Sequence, residues 1–118
     1  GCTYSFPQIA SIGITEKKAK ELNLKVKIGK FPYQANGKAI AIGETFGLIK
    51  VLFAEETGEL LGAHLIGADA TEMIQVFAVA KQAELTEAEL MQTVFAHPTL
   101  GEMLHEAVLS AYGQAIHF

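Results

Sequence analysis

Residues 47–66 read GLIKVLFAEETGELLGAHLI, two apolar stretches separated by a polar turn. Residues 47–54 and 60–66 are rich in the branched and apolar side chains that are typical of β-strands. Residues 55–59 are polar and include Gly58, a residue type that adopts the positive φ required by many hairpin turns. The stretch therefore predicts a β-hairpin, and with it an antiparallel sheet.

Two more strands are predicted on the N-terminal side of this hairpin. Residues 9–14 alternate apolar and small side chains, and residues 24–31 alternate apolar side chains with lysines. The second pattern is that of a strand with one face in water. Between them, Thr15 is a suitable N-cap for a short helix, with Ala19 and Leu22 on its apolar face, and Asn23 is a suitable left-handed end.

Beyond Gly67 the hydrophobic period changes from 2 to 3.6, which predicts helices. The first helix is expected to run to about Ala83 with one apolar stripe, and the last is expected to stop at Gly113. Three helix starts show a capping-box pattern, in which two side chains three residues apart bond free backbone amides: Asp69–Glu72, Thr86–Glu89 and Thr99–Glu102. Strands followed by helices predict an α+β fold, an antiparallel β-sheet with helices packed on one side.

Composition excludes several classes of protein. The chain has 118 residues, is 50% hydrophobic and carries a net charge of −4, which predicts one domain spanning residues 1–118 rather than a disordered chain. It contains no arginine and no apolar run of membrane-spanning length, so neither nucleic acid nor a membrane is an expected partner. The lone cysteine, Cys2, excludes a disulfide framework, and no histidine motif has metal-ligand spacing, so no metal site is expected. Because the chain starts at Gly1 without Met, we expect a piece of a longer protein.

Charge is distributed unevenly along the chain. Residues 1–50 carry eight lysines and three acids, whereas residues 51–118 carry Lys81 and ten acids. Two interpretations remain open at this point: one domain with a basic and an acidic side, or electrostatic steering of a partner.

The segment His97-Pro98-Thr99-Leu100-Gly101-Glu102 is the one that could carry chemistry. Pro98 restricts His97 to an extended backbone, so the imidazole projects from a bend before a helix, and a His-Pro bond can be cis. Glu102 lies one turn further on, where its carboxylate could bond Nδ1, fix the tautomer and stabilise the imidazolium, as a general base requires. The alternative is an ordinary capping box in which Glu102 bonds the backbone. A carboxylate has two oxygens, so the two roles are compatible.

The remaining histidines give weaker signals. His64 lies within a predicted strand and is expected to be a half-buried or exposed structural residue. His105 lies one residue past the apolar face of the last helix, where a contact with solvent or a partner is expected. His117 has no partner at metal-ligand spacing.

The segment around His97 also resembles the histidine–glutamate signature of the pyridine nucleotide-disulfide oxidoreductases. Leu100 and the helix after it resemble the dihydrolipoyl dehydrogenase branch more than the glutathione reductase branch. Residues 7–16 and 57–70 are similar to other segments of that family's C-terminal dimerisation domain, and the likeness runs along essentially the whole chain. Two positions depart from the family pattern: Gln8 replaces a common Glu, and Gly101 replaces a small polar residue.

This resemblance implies an activity that the residues alone do not establish. In the dihydrolipoyl dehydrogenase branch, the enzyme oxidises protein-bound dihydrolipoamide to lipoamide with NAD+, through a redox-active cysteine pair and FAD. His97 would take the proton of a substrate thiol and Glu102 would hold its ring, both supplied in trans to the other subunit of a homodimer. His97 and Pro98 would lie near the partner's FAD. Cys2 has no partner cysteine and would not be the redox centre.

The resemblance also implies partners, cofactors and a location. FAD and NAD would be bound by the full-length enzyme and by no part of this fragment alone, which would have no turnover. Partners would be lipoyl domains of 2-oxo acid dehydrogenase or glycine cleavage complexes, in the cytoplasm or, alternatively, the mitochondrial matrix. The competing hypotheses are a structural dimerisation module of a glutathione- or mercuric-reductase-like enzyme, and a free-standing binding domain.

Overall fold

A five-stranded antiparallel sheet forms the centre of the fold, with strands in the order β1-β2-β5-β4-β3. The structure is a computed structural model and describes residues 1–117. The strands are β1 (Cys2–Thr3), β2 (Ile9–Gly13), β3 (Val26–Pro32), β4 (Gly47–Ala54) and β5 (Leu60–Gly67). The predicted hairpin is confirmed as β4 and β5, and Gly58 in its turn has a φ of 75°. β1 was not predicted, because two residues are too few to show a period.

Within residues 1–117, five α-helices accompany the sheet: α1 (Glu16–Glu21), α2 (Gly37–Ile42), α3 (Ala70–Gln82), α4 (Glu87–Gln92) and α5 (Glu102–Ala111). The predicted ends of α1 and α5 are confirmed, because Asn23 and Gly113 both have positive φ. In α1 only Ala19 is buried, and the prediction that Leu22 shares its apolar face is wrong. The 3₁₀ turn at Tyr33–Ala35 and α2 were not predicted, because this stretch has no apolar period.

The two longer helices, α3 and α5, cover one face of the sheet. Their buried side chains form one core with those that β2, β3, β4 and β5 direct to the same face: Ala10, Phe31, Ile49, Val51, Phe53, Ala63, Leu65, Met73, Ile74, Phe77, Met103, Leu104, Ala107 and Val108. This arrangement confirms the predicted α+β fold class. Among residues 1–117, no helix is both long and apolar enough to cross a membrane.

The short helix α1 lies on the opposite face of the sheet. Side chains alternate along a strand, so Lys50 points away from the neighbouring core residues Ile49 and Val51. Its ammonium group donates to the carboxylate of Glu16 at the start of α1. This hydrogen bond and ion pair hold the pKa of Glu16 below its ordinary value.

Of the capping boxes predicted at Thr86 and Asp69, the first is present and the second is not. Thr86 and Glu89 form the predicted box, and the Thr86 N–H holds the pKa of Glu89 below its ordinary value. The box predicted at Asp69 is wrong: this residue has a left-handed φ of 59° and makes no side-chain cap. An N-cap side chain reaches the helix from an extended backbone, which Asp69 lacks. Instead Gln8 Oε1 accepts from Thr71 N at 3.0 Å and Thr71 Oγ1 at 2.7 Å.

Tyr33 is fully buried where the 3₁₀ turn meets the sheet. Its ring lies against Gly47 and Gly67, which pair across β4 and β5, and a Cβ at Gly67 would lie 2.5 Å from the ring. The phenol donates to the Ala68 carbonyl at 2.6 Å. Burial raises the pKa of Tyr33 above its ordinary value, because the tyrosinate would lose its hydration.

Replacing Tyr33 by Phe is expected to flatten the loss of stability at alkaline pH. The folded-state pKa lies above the unfolded value of about 10, so this group's contribution to stability is complete below that pH and is lost as pH rises beyond it. At pH 7 the variant should be less stable by about 1 kcal/mol, from the lost hydrogen bond. Urea unfolding between pH 7 and 11 measures both effects. Burial raises the pKa of Tyr112 to about 12. Because Tyr112 is present in both proteins, its titration contributes equally to both pH profiles. Parallel pH profiles would contradict the expectation.

Candidate active site

The imidazole of His97 and the carboxylate of Glu102 are in direct contact, as the sequence predicted. His97 Nδ1 lies 2.9 Å from both Oε1 and Oε2 of Glu102. The peptide bond between His97 and Pro98 is cis. Since a carboxylate only accepts hydrogen bonds, Nδ1 is the donor and Nε2 keeps a free lone pair in the neutral ring. The His97 side chain is 72% exposed and that of Glu102 is 21% exposed, so this basic nitrogen is accessible.

Glu102 also caps the helix that it begins. Thr99 N donates to Glu102 Oε1, and Glu102 N donates to Thr99 Oγ1, both at 3.3 Å. The two interpretations of this segment, a capping box and a histidine–carboxylate pair, therefore both hold. Because its oxygens bond both the backbone and the ring, the carboxylate fixes the position of the imidazole relative to α5.

Asn36 contacts the same turn from the other side and was not identified from the sequence. Its side chain is 4% exposed. Its Nδ2 donates to the Thr99 carbonyl at 3.0 Å, and its Oδ1 accepts from Ala39 N at 2.8 Å as the N-cap of α2. The signal available in the sequence was an N-cap residue followed seven positions later by Gly43, which ends α2 with a φ of 75°.

A small cavity of about 110 Å³ lies beside the dyad. Its titratable lining residues are His97, Glu102, Glu106 and His117, and its other walls are Phe31, Ala35, Asn36 and Gly37. Glu106 is only 5% exposed, and its Oε2 accepts from the N–H groups of Ile116 and His117 at 3.0 Å each. Nothing in the sequence singles out Glu106, which is one acid on a helix whose side chains are mostly apolar. This carboxylate holds the C-terminal segment against the cavity.

The other histidines are bound within the chain. His64 is partly buried, and its Nε2 lies 2.9 Å from the Ile14 carbonyl, as expected of a structural residue. His105 Nε2 lies 2.8 Å from the Met91 carbonyl, and its ring stacks on Phe95 at 5.2 Å. The expectation that His105 contacts solvent or a partner is therefore corrected by these contacts. Within residues 1–117, no three His, Cys, Asp or Glu side chains are grouped to hold a metal ion.

An open apolar groove lies between α3 and α4. Its volume is about 420 Å³, and it is lined mainly by Val76, Val79, Ala80, Leu85, Leu90 and Phe95. Val79 is 58% exposed, and Val94 next to Phe95 is 93% exposed. Large exposed apolar surfaces mark sites of interaction with other protein surfaces.

Comparisons with known proteins agree with the resemblance drawn from the sequence. Dihydrolipoyl dehydrogenase of Zymomonas mobilis is 58% identical over 118 residues, covering 100% of this chain and 25% of that protein. Dihydrolipoyl dehydrogenase of Rhizobium etli is 58% identical over 116 residues, covering 98% and 24%. Among solved structures, the HOCl-induced flavoprotein disulfide reductase RclA of Escherichia coli matches with a TM-score of 0.86 and 27% identity, over 92% of this chain and 25% of that one.

The matched part of each relative corresponds to one domain. The chain spans about a quarter of the length of the curated relatives that it matches. Residues 1–108 match the family model described as the pyridine nucleotide-disulphide oxidoreductase dimerisation domain. With this match, 58% identity to named relatives and a shared fold, the chain belongs to the dimerisation-domain family of the pyridine nucleotide-disulphide oxidoreductases.

Proposed function

We propose that residues 1–118 are the C-terminal dimerisation domain of a dihydrolipoyl dehydrogenase and supply His97 and Glu102 as its acid/base pair. The single observation that carries this proposal is the contact of 2.9 Å between His97 Nδ1 and Glu102, on a ring whose other nitrogen is accessible. The relatives that are 58% identical along the chain support the choice of substrate class.

The proposed step is thiol–disulfide exchange. His97 Nε2 takes the proton of one dihydrolipoamide thiol, since the thiolate is the nucleophile in such exchange. The thiolate attacks one sulfur of the enzyme disulfide, forming a mixed disulfide and releasing the other sulfur as a thiolate. His97 passes this proton to the released cysteine and then takes the proton of the second substrate thiol. The resulting thiolate attacks the substrate sulfur of the mixed disulfide and displaces the other cysteine as a thiolate. The substrate leaves as cyclic lipoamide, oxidised by two electrons, and the cysteine pair is left reduced. Glu102 stabilises the imidazolium that forms.

FAD and NAD would belong to the parts of the enzyme beyond this chain. When bound, FAD would supply the two-electron oxidation of the reduced cysteine pair, with NAD+ as the final electron acceptor. The present sequence holds a single cysteine, Cys2, so the pair is supplied by another part of the enzyme. The exposed edge at His97 and Pro98 fits a contact with a group carried by the partner subunit, whereas a side chain sealed in its own core would not. We expect no cofactor to bind, and no turnover to occur, with this chain alone.

The groove between α3 and α4 fits the proposed homodimer. Its apolar lining and its exposed Val79 are what a second copy would cover.

We place the complete enzyme in the cytoplasm, or alternatively the mitochondrial matrix, acting on lipoyl domains of 2-oxo acid dehydrogenase or glycine cleavage complexes. A structural module of a glutathione- or mercuric-reductase-like enzyme is the weaker candidate, because both relatives that are 58% identical along the chain are named dihydrolipoyl dehydrogenase.

A hybrid-dimer experiment tests whether the dyad acts in trans. Two full-length variants are prepared, one with His97→Gln and one with a redox cysteine replaced, and both should be inactive alone. After dissociation and reassembly of an equal mixture, about one quarter of the wild-type activity is expected, because half of the dimers are hybrids and each hybrid has one intact site of two. Wild-type enzyme that is dissociated and reassembled in the same way provides the control. A mixture as inactive as its parents would place the dyad and the disulfide on one subunit.

A further inference from the structure

We propose that Asn36 is a positioning residue for the His97–Glu102 pair, an inference that rests on the proposed function. Asn36 lies 63 positions before Thr99 in the sequence, yet its amide donates to the Thr99 carbonyl in the turn between the two dyad residues. The carbonyl requires a donor and Ala39 N requires an acceptor, so the chemistry of the two partners fixes the orientation of the amide. Both halves of this buried side chain are satisfied.

Thr99 transmits the position of Asn36 to the dyad. Its N–H bonds Glu102 Oε1, and its hydroxyl accepts from Glu102 N and donates to the Ala96 carbonyl at 2.6 Å. Met103 N bonds the Leu100 carbonyl at 3.1 Å, and the Thr99 carbonyl bonds the amide of Asn36. The side chain of Asn36 therefore links the start of α2 to the backbone between Pro98 and Glu102.

Asn36 is supported by a buried part of the fold. Asn36 N donates to the Tyr33 carbonyl at 2.9 Å, and Tyr33 is itself fully buried and bonded to Ala68. The position of Asn36 is thereby tied to the sheet. Removing its donor breaks this link between the Thr99 turn and the sheet, while an acceptor at position 36 can still cap α2. Displacing a catalytic group by about 1 Å can lower a rate by about 10²-fold.

Asn36→Ser separates the two roles of the residue. Serine keeps an acceptor for Ala39 N but its side chain is too short to supply the amide donor to Thr99. Asn36→Asp, which is nearly isosteric, also keeps the acceptor and lacks the donor, and it serves as the second variant if Asn36→Ser folds poorly. Thr15→Ala is the matched control, because Thr15 Oγ1 caps the equally short helix α1 on the other face of the sheet, accepting from Lys18 N at 3.0 Å.

The variants are compared in the full-length enzyme by the two half-reactions and by thermal unfolding. Asn36→Ser and Asn36→Asp are expected to lower the kcat of dihydrolipoamide oxidation by about 10- to 100-fold, with KM and the reoxidation of the flavin by NAD+ unchanged. Thr15→Ala should lower the Tm without changing either half-reaction. If the Asn36 variants behave like Thr15→Ala while His97→Gln stops dihydrolipoamide oxidation, this inference alone is overturned. If His97→Gln leaves that half-reaction intact, the proposed function fails.

Discussion

Replacing His97 by Gln in the full-length enzyme is expected to slow the oxidation of dihydrolipoamide by about 10²- to 10⁴-fold. Glutamine keeps a donor for Glu102 but has no basic nitrogen to take the thiol proton in place of Nε2. The thiolate fraction of the substrate would then depend on solvent alone. Stopped-flow reduction of the oxidised enzyme by dihydrolipoamide measures this half-reaction directly.

The second half-reaction supplies the internal control for His97→Gln. Reoxidation of the reduced enzyme by NAD+ involves no substrate thiol and should change little. His64→Gln is the matched histidine control, because His64 is not part of the dyad and its Nε2 contacts the Ile14 carbonyl. A glutamine amide can donate to the same carbonyl. Equal losses in both half-reactions, or an equal loss in His64→Gln, would contradict the proposed role of His97.

The parts of the fold that the sequence predicted are those with a local physical signal. The hairpin of β4 and β5 follows from two apolar stretches around a polar turn with Gly58, and α3 follows from a buried stripe at helical spacing. The contact between His97 and Glu102 was predictable for the same reason, because they lie five positions apart and the turn between them is short.

The parts that were missed depend on contacts between distant residues. Gln8 caps α3 from 63 positions away, and Asn36 reaches Thr99 over the same separation. Asp69 satisfied the capping pattern but adopted a left-handed backbone, which only the tertiary structure determines. Glu106 lies on a mostly apolar helix, and its role depends on the N–H groups of Ile116 and His117, ten and eleven positions further along the chain.

The position of Glu102 depends on how closely α5 packs on the sheet. Gly29 of β3 lies under this helix: a Cβ at Gly29 would come within 1.9 Å of the Ala107 carbonyl oxygen and 2.8 Å of Ala111 N. Both obstructing atoms belong to the helix backbone, which cannot turn aside as a flexible side chain can. Lys30 N, the next residue on the strand, already contacts Ser110 Oγ at 3.4 Å. Glycine at this position therefore sets the distance between α5 and the sheet.

Gly29→Ala is accordingly expected to destabilise the protein by about 3 kcal/mol, at the upper end of the usual cost of inserting an atom into a packed core. α5 would have to move outward as a unit, because its carbonyls and amides are bonded to each other along the helix. Since Glu102 begins this helix, the same displacement would carry the carboxylate away from His97. Urea unfolding measures the first effect, and the rate of dihydrolipoamide oxidation in the full-length enzyme measures the second.

Gly37→Ala distinguishes this packing effect from a general effect of replacing glycine. Gly37 is the first residue of α2, and a Cβ there would meet no atom within 4 Å. Alanine at such a position should stabilise the protein by about 0.4 to 1 kcal/mol, because it reduces the conformational freedom of the unfolded chain. The two substitutions add the same methyl group and should change stability in opposite directions. If Gly29→Ala proved as harmless as Gly37→Ala, α5 would be loosely seated, and the packing of the sheet would not determine where Glu102 lies.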